Sequence, residues 1–320
     1  MGVVLGVDGG NTKTDLVVAT LDGEPLAWVR GPGSNSHSAG GSAGCVAVIA
    51  SLVERTAFEA PGAHGAFFLC GADVPADIAE LSAEIEARTW VTAATVDNDT
   101  FALLRAGTDR SDAVAIVCGA GLNCVGRSAD GRTARYPSLG WETGDWGGAE
   151  PLGREALFHA ARAEDGRGEP TALVDVLRSH FGAETVAALG EAVHYRRIRD
   201  VRLGEIAPAV VAAARAGDAV ALRLVERLAG EIELLVRRAC RDLGVHELDV
   251  VLGGGMLADR GFLYDLVVAR LPEGARPVTP ALPPVAGAVL AALDAAGAPP
   301  AAAERVRAAF ADGLAPEDVR

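Results

Sequence analysis

A strand–turn–strand–turn–strand pattern occurs twice in this chain, and it constrains the fold more than any other feature. The glycine turns of the two copies begin at Gly9 and Gly119, 110 residues apart, and the Asp-Gly turns begin at Asp22 and Asp130. Because an Asp-Gly turn between apolar segments is a strong hairpin signal, each copy predicts three short antiparallel strands. A repeat at domain length indicates a duplicated domain rather than a solenoid, whose period is roughly 20–50 residues.

The segments that follow each copy predict two α/β domains. Helices and strands alternate after the first copy, beginning with an amphipathic helix over Ser42–Glu59. The stretch Gly107–Arg110 breaks the pattern, so we expect an N-terminal domain at residues 1–109 and a C-terminal domain at 110–297. A terminal helix, at about 298–320, is expected to pack back on the first domain. The second domain carries a helical insertion, with helical periodicity over Leu152–Ala163, Thr171–Ser179, Ala183–Ala192 and Ile206–Asp242.

Charge and composition exclude several classes of protein. The 320 residues carry a net charge of −14, which argues against a nucleic-acid or anionic-membrane surface. No apolar run approaches the roughly 20 residues of a spanning helix, and no basic segment precedes Asp8 as in a signal peptide. The five cysteines form no CxxC motif. We therefore expect a cytoplasmic protein without disulfides.

The glycine turns predict a phosphate site. Glycine lets backbone N–H groups approach a ligand closely, so even an acidic protein can hold an anion there. A third cluster, Gly253–Gly255, follows the apolar strand Leu248–Leu252. Lys13, the only lysine of the chain, lies on the first turn. Two interpretations of Lys13 stay open, a phosphate contact and a solvated turn residue.

Four segments resemble motifs of the actin-like ATPase superfamily, which includes sugar kinases. They are the first phosphate loop (8–14), the second phosphate loop (118–124), the adenosine motif (250–255) and the connecting helix (284–288). The sequence is most similar to the N-acetylglucosamine kinase-like branch, which shares a family with the activators of benzoyl-CoA reductase. The resemblance implies an α/β fold of duplicated ribonuclease-H-like domains around a nucleotide cleft.

The resemblance also implies ATP and Mg²⁺ as cofactors. Asp8 would orient Mg²⁺ through water, and glycine-rich backbone would hold the phosphates. The implied phosphate-binding residues are Gly9, Gly10, Asn11, Thr12, Lys13, Gly119, Ala120, Gly121 and Asn123. Gly253, Gly254, Gly255 and Ala214 would border the adenosine.

The implied sugar-binding residues are Asn35, Asp99, Gly140 and Asp145, with Asp99 as the catalytic base. A carboxylate can orient a sugar hydroxyl and accept its proton. Asp97 is a competing candidate, and Asp99 could instead be only the N-cap of the helix that starts at Thr100. Trp141 and Trp146 could pack on sugar C–H faces or could be hydrophobic anchors of their loop.

The sequence therefore predicts an ATP-dependent sugar kinase that phosphorylates N-acetylglucosamine or a related hexosamine at the 6-hydroxyl. The sequence departs from the kinase pattern at Ala120, Leu139 and Trp146, so the identity of the sugar is not determined by the motifs. Glucosamine, N-acetylmuramic acid and a disaccharide are alternatives. An ATPase activator is a further alternative, although it would need cysteines placed for an iron–sulfur cluster. A non-catalytic sugar sensor would need a DNA-binding segment before Asp8. The resemblance also implies a homodimer that binds a small-molecule sugar. Nucleic acid and membrane are not expected as partners, because the chain is acidic.

Overall fold

The computed structural model describes residues 2–56, 58 and 61–316, and it divides into two compact units. The first unit combines the N-terminal residues up to Ala115 with the residues from Pro280 onward. The second unit comprises Ile116–Thr279. In the described residues no helix is both long enough and apolar enough to cross a membrane.

The first unit contains a five-stranded mixed sheet in the order β3-β2-β1-β4-β5. Its N-terminal elements are β1 (Val3–Gly9), β2 (Lys13–Thr20), β3 (Pro25–Pro32), α1 (Gly41–Arg55), β4 (His64–Leu69), α2 (Pro75–Glu86), β5 (Ala94–Asp97) and α3 (Thr100–Gly107). The strands β1, β2 and β3 pair antiparallel, as the turn signals predict, while β4 and β5 run parallel to β1. Helix α1 ends at Arg55, so the predicted extension to Glu59 reaches residues outside the described part of the chain.

Both faces of this sheet are covered by apolar side chains. Residues of α1 and α2, such as Ile49 and Leu81, pack on one face with Leu5 and Phe67 of the sheet. This burial on both faces explains why β1 and β4 read as continuous apolar runs rather than as alternating ones. The edge at which β1, β4 and β5 end is thereby held in a fixed position.

The other face is covered by helices from the far end of the chain, α10 (Pro284–Ala295) and α11 (Pro300–Ala311). A Cβ at Gly6 would lie 2.5 Å from the backbone nitrogen of Val289, and one at Gly287 would lie 2.0 Å from the carbonyl of Ala102. Helix α10 therefore packs directly on β1 and α3. The sequence interpretation placed residues up to 297 in the second domain, and the structure differs because this long-range packing leaves no local signal.

The second unit has the same sheet topology as the first. Its strands are β6 (Ala113–Cys118), β7 (Leu122–Arg127), β8 (Thr133–Arg135), β9 (Leu248–Gly253) and β10 (Ala275–Val278), and β6 begins just before the division between the units. Their order, β8-β7-β6-β9-β10, matches β3-β2-β1-β4-β5 position by position. The predicted duplicated α/β fold is confirmed by this match.

The helical insertion lies between β8 and β9. It comprises a 3₁₀ helix (Gly140–Thr143), α4 (Ala149–Glu164), α5 (Leu173–Phe181), α6 (Val186–His194), a second 3₁₀ helix (Asp200–Ile206), α7 (Ala207–Arg215) and α8 (Ala219–Leu243), and α9 (Phe262–Val268) follows β9. The predicted helix over Ile206–Asp242 is interrupted, because Gly217 adopts a left-handed φ of 95° and Asp218 caps α8 by accepting the N–H of Ala221.

Candidate active site

The first glycine turn joins β1 to β2 and is pinned to the segment that follows β3. Gly10 donates its N–H to the carbonyl of Lys13 at 2.9 Å, which closes the turn. The Thr14 hydroxyl oxygen lies 2.7 Å from the carbonyl oxygen of Pro32 and 2.8 Å from Ser34 Oγ, so it is hydrogen-bonded to both. The side chains at residues 11–13 are exposed, so the tip presents its outer surface to solvent. Such a fixed, exposed tip is suited to binding an anion through its backbone.

Three carboxylates follow three neighbouring parallel strands of the first unit. Asp8 lies near the end of β1, Asp73 follows β4, and Asp99 follows β5. Because parallel strands end at the same edge of a sheet, these residues gather there, where open α/β sheets bind ligands. The strand ends therefore form an acidic site in the first unit.

Burial and mutual repulsion make these carboxylates unusually basic. Burial, together with the charges of Asp99 and Asp15, raises the pKa of Asp8 to about 8. Burial and the charge of Asp73 raise the pKa of Asp99 to about 7. Burial likewise raises the pKa of Asp73 to about 6, although the nearby His37 opposes the rise. Such clustering of perturbed groups is typical of functional sites.

Asp99 stands at the first turn of α3, but it does not cap the helix through its side chain. Asn98 performs that task, because its Oδ1 accepts the N–H of Thr100 at 2.9 Å. The Nδ2 of Asn98 donates to Asp73 Oδ1 at 2.8 Å, which ties the loop after β5 to the loop after β4. The N–H and the hydroxyl of Thr100 act to lower the pKa of Asp99, so a role at the start of α3 stays open beside the catalytic role.

Asn35 lies beside both the phosphate turn and the acidic site. Its Nδ2 donates to Asn11 Oδ1 at 2.6 Å and to Cys70 Sγ at 3.4 Å, while its Oδ1 accepts the N–H of His37. His37 Nε2 in turn lies 3.9 Å from Asp73 Oδ2. The structure thus brings a predicted sugar-binding residue and a predicted phosphate-binding residue into direct contact.

Lys13 is paired inside its own strand. Its Nζ lies 2.9 Å from Asp15 Oδ2, and Asp15 also accepts hydrogen bonds from Trp28 Nε1 and from the Arg30 guanidinium. These donors lower the pKa of Asp15, although burial alone would raise it. Neither open interpretation of Lys13 included this ion pair, which gives the side chain a structural partner on β2.

The second glycine turn is held by the start of α4. Ala149 and Glu150 donate their N–H groups to the carbonyls of Gly119 and Ala120, at 2.8 and 2.9 Å. Gly148, with a φ of 87°, approaches Gly121 so closely that a Cβ would lie 2.4 Å from its backbone. The N-terminus of a long helix therefore supports the turn from behind.

The third glycine cluster lies against the same turn. A Cβ at Gly254 would lie 2.4 Å from the carbonyl oxygen of Cys118, and Met256 donates its N–H to that oxygen. The predicted phosphate and adenosine segments of the second unit therefore meet at the end of β6. Asn123, however, accepts the hydroxyl of Ser138 and so holds the loop that follows β8. Ala214 is buried within α7.

Gly140 and Asp145 are neighbours in space within that loop. Asp145 donates its N–H to the carbonyl of Gly140 at 2.9 Å, and its Oδ2 accepts the hydroxyl of Thr143. The two tryptophans have different environments. Trp146 is buried with the Arg227 guanidinium 3.9 Å from its ring centroid, whereas Trp141 is 86% exposed. Trp146 is therefore the anchor of the loop, and Trp141 offers a free aromatic face.

Comparison with known proteins places this arrangement in a family. A model of the BadF/BadG/BcrA/BcrD ATPase family matches residues 5–292. The chain belongs to this family. The match covers both sheets, both glycine turns and α10, so the predicted family is confirmed.

Two curated relatives of this family member carry the names of sugar kinases. It is 27% identical over 277 residues to an N-acetylmuramic acid/N-acetylglucosamine kinase of Clostridium acetobutylicum, covering 83% of this chain and 89% of the relative. It is 25% identical over 318 residues to an N-acetyl-D-glucosamine kinase of Dictyostelium discoideum, covering 91% and 98%. Among solved structures, a candidate N-acetylglucosamine kinase of Chromobacterium violaceum matches with a TM-score of 0.69 and 21% identity, covering 91% of this chain and 98% of that one.

Asp73 and Asn98 also lie in this candidate site, joined by a hydrogen bond, and the sequence analysis did not name them. A signal was present, because an acidic residue stands within about four residues of the end of each of three parallel strands. Four predicted residues come together in the first unit. Asn35 contacts Asn11 directly, and the charge of Asp99 raises the pKa of Asp8. Gly119, Gly254, Gly140 and Asp145 belong to the second unit.

Proposed function

We propose that this chain is an ATP-dependent kinase of N-acetylglucosamine or a related hexosamine, acting on the 6-hydroxyl. The names of the curated relatives support the sugar class. The observation that carries the proposal is the placement of Asp99, which stands on the first turn of α3 while Asn98 caps the helix. Its carboxyl stands at the end of a parallel strand beside Asp73, at the edge where open α/β sheets bind ligands.

Asp99 is proposed as the general base. A sugar hydroxyl is a weak nucleophile near pH 7, and a base acts best when its pKa lies near the working pH. Burial with Asp73 nearby raises the pKa of Asp99 to about 7. In the proposed reaction the hydroxyl oxygen attacks the γ-phosphorus of ATP, its proton passes to Asp99, and ADP leaves. Asn35, Gly140 and Asp145 are proposed to bind the sugar.

The backbone of the two glycine turns is proposed to bind the phosphates of ATP. Asp8 fits a hydrated Mg²⁺, because it is a half-buried carboxylate whose charge other carboxylates oppose. The ion would neutralise charge on the phosphate oxygens. Lys13, paired with Asp15, would act by holding the first turn in place.

The test is ADP release measured with Mg²⁺-ATP across a panel of sugars. The panel contains N-acetylglucosamine, glucosamine, N-acetylmannosamine, N-acetylmuramic acid, glucose and chitobiose. Asp99→Asn should lower kcat for the active sugar by about 100-fold or more while the protein stays folded. Asp97→Asn is the matched control, because Asp97 lies two residues away and accepts the N–H of Asn98.

The control variant should keep at least half of the wild-type kcat. Loss of activity in Asp97→Asn with retention in Asp99→Asn would reassign the base. Hydrolysis of ATP that no sugar stimulates would overturn the kinase proposal and favour an ATPase activator. The homodimer implied by the resemblance stays a prediction, and the cytoplasm, where ATP is present, is the proposed location.

A further inference from the structure

A cavity of about 410 Å³ opens beside the proposed sugar-binding loop of the second unit. Its lining includes Gly140 and Asp145 of that loop and residues near the start of α4. Asp200 and Val201, from the second 3₁₀ helix of the insertion, also line it. We name this cavity the insertion pocket. A substrate bound at Asp145 would therefore have space beyond its ring on this side.

The lining of the insertion pocket is strongly acidic. Of its charged side chains, five are acidic and one is basic, Arg154. The guanidinium of Arg154 is already paired with Asp200 at 2.7 Å. Arg154 also acts on Glu150, where its charge opposes the rise in pKa that burial and Asp200 cause. An anionic group entering the pocket would meet five carboxylates, and the one cation among the described lining residues is already paired.

Arg227 contacts two residues of the pocket lining. Its guanidinium is stacked on the ring of Trp146 and lies 3.4 Å from Glu155. The exposed ring of Trp141, which also lines the pocket, offers an apolar surface. Aromatic faces pack on the C–H faces of sugars and on acetyl groups, while carboxylates accept hydrogen bonds from hydroxyls and amines.

We propose that the insertion pocket receives the part of the substrate that extends beyond the sugar ring and selects by charge. Neutral and cationic amino sugars are accepted, and hexosamines that carry a carboxylate are excluded. This inference rests on the proposed kinase function and names its substrate class. It would distinguish this chain from the Clostridium acetobutylicum relative, whose name includes N-acetylmuramic acid.

The kinetic test compares kcat/KM for N-acetylglucosamine and N-acetylmuramic acid. The wild-type protein should favour N-acetylglucosamine by about tenfold or more, because like charges brought together cost binding energy. The double variant Glu142→Gln/Glu150→Gln should reduce that preference about threefold or more, and added salt should reduce it in the wild type. Glu247→Gln, an exposed change in the same unit, is the control and should leave the ratio unchanged. Equal turnover of both sugars by the wild type, or an unchanged ratio in the double variant, would overturn the proposal.

A binding test separates this proposal from the kinase proposal. Tryptophan fluorescence is titrated with glucosamine, N-acetylglucosamine and N-acetylmuramic acid without ATP, and again in Trp141→Phe. We expect saturable changes for the first two sugars, much weaker binding of the third, and loss of the response in the variant. Equal affinity for all three, or no response to any, contradicts the pocket, whatever the result of the ADP assay. Selective binding without phosphorylation would overturn only the kinase function.

Discussion

At the scale of single residues, the site is built from carboxylates that repel one another. Asp8, Asp73 and Asp99 stand at the ends of adjacent parallel strands, and the pKa of each is raised by burial. The charged form of each carboxylate is therefore destabilised. A bound cation, or a hydrogen bond from a sugar hydroxyl, would relieve that destabilisation. The Asn98 side chain links the loops after β4 and β5. It donates a hydrogen bond to Asp73 and accepts one from the N–H of Thr100.

Removing the charge of Asp73 should change the pH dependence of the reaction. Asp99 must be ionised to act as a base, so kcat/KM should rise with pH through the pKa of Asp99. The charge of Asp73 raises that pKa, so Asp73→Asn should lower it and move the rising limb to lower pH. The ratio of kcat/KM at pH 6 to that at pH 8 should increase roughly twofold or more. Glu86→Gln, on the helix after Asp73, should leave the profile in place, and a shift to higher pH would contradict the assignment.

Replacing Asp15 should test the buried ion-pair group on β2. Asp15→Asn leaves Arg30 with a weaker partner, and because Arg30 is 39% exposed we expect a loss of about 2 kcal/mol in the free energy of unfolding at pH 7. The pKa of Asp15 is lowered by folding, so its stabilisation is present above the unfolded pKa and is lost as the pH falls through the folded value. Urea unfolding should show the difference from wild type shrinking below about pH 4. The exposed change Asp22→Asn should cost less than about 0.5 kcal/mol, and an equal cost would refute a special role for Asp15.

At the scale of elements, close helix packing depends on single glycines. In Gly287→Ala the new methyl group would meet the carbonyl of Ala102 at 2.0 Å, so α10 must move away from α3. We expect a loss of about 3 kcal/mol in the free energy of unfolding. Gly190→Ala, in the middle of α6 with nothing within 4 Å of the added Cβ, should instead stabilise by about 0.5–1 kcal/mol. Thermal unfolding of both variants measures the contrast, and a neutral Gly287→Ala would contradict the packing.

Local signals and long-range packing explain which elements could be predicted. The hairpins around Asp22 and Asp130 follow from turn chemistry within a few residues, and both are present in the structure. The break between α7 and α8 was missed because apolar periodicity continues across Gly217. Asp99 and Asn35 were found through motifs, and their proposed roles stay predictions. Asp73 carries a local signal, since it follows a parallel strand, but its contact with Asn98 joins loops 25 residues apart in sequence and only the fold reveals it.

At the scale of the whole molecule, one of the two duplicated units is continuous in sequence and the other is not. The second sheet is formed within residues 113–278, together with the long helix α8. The first sheet has an apolar face, with Val4, Val17 and Ala66, and the C-terminal helices α10 and α11 pack on it together with α3. The core of the first, N-terminal sheet therefore depends on helices from the C-terminal part of the chain.

Dividing the chain should reveal this dependence. Residues 111–279 alone should unfold cooperatively in urea, because they contain a complete sheet and its helices. Residues 1–110 alone should not, since the face that carries Val4 and Val17 would be exposed to water. Adding a peptide of residues 280–316 to the N-terminal piece should restore a cooperative transition, and the same peptide with Gly287→Ala should restore it less well, because its helix can no longer approach Ala102. Cooperative unfolding of residues 1–110 without the peptide would show that α10 is not part of that core.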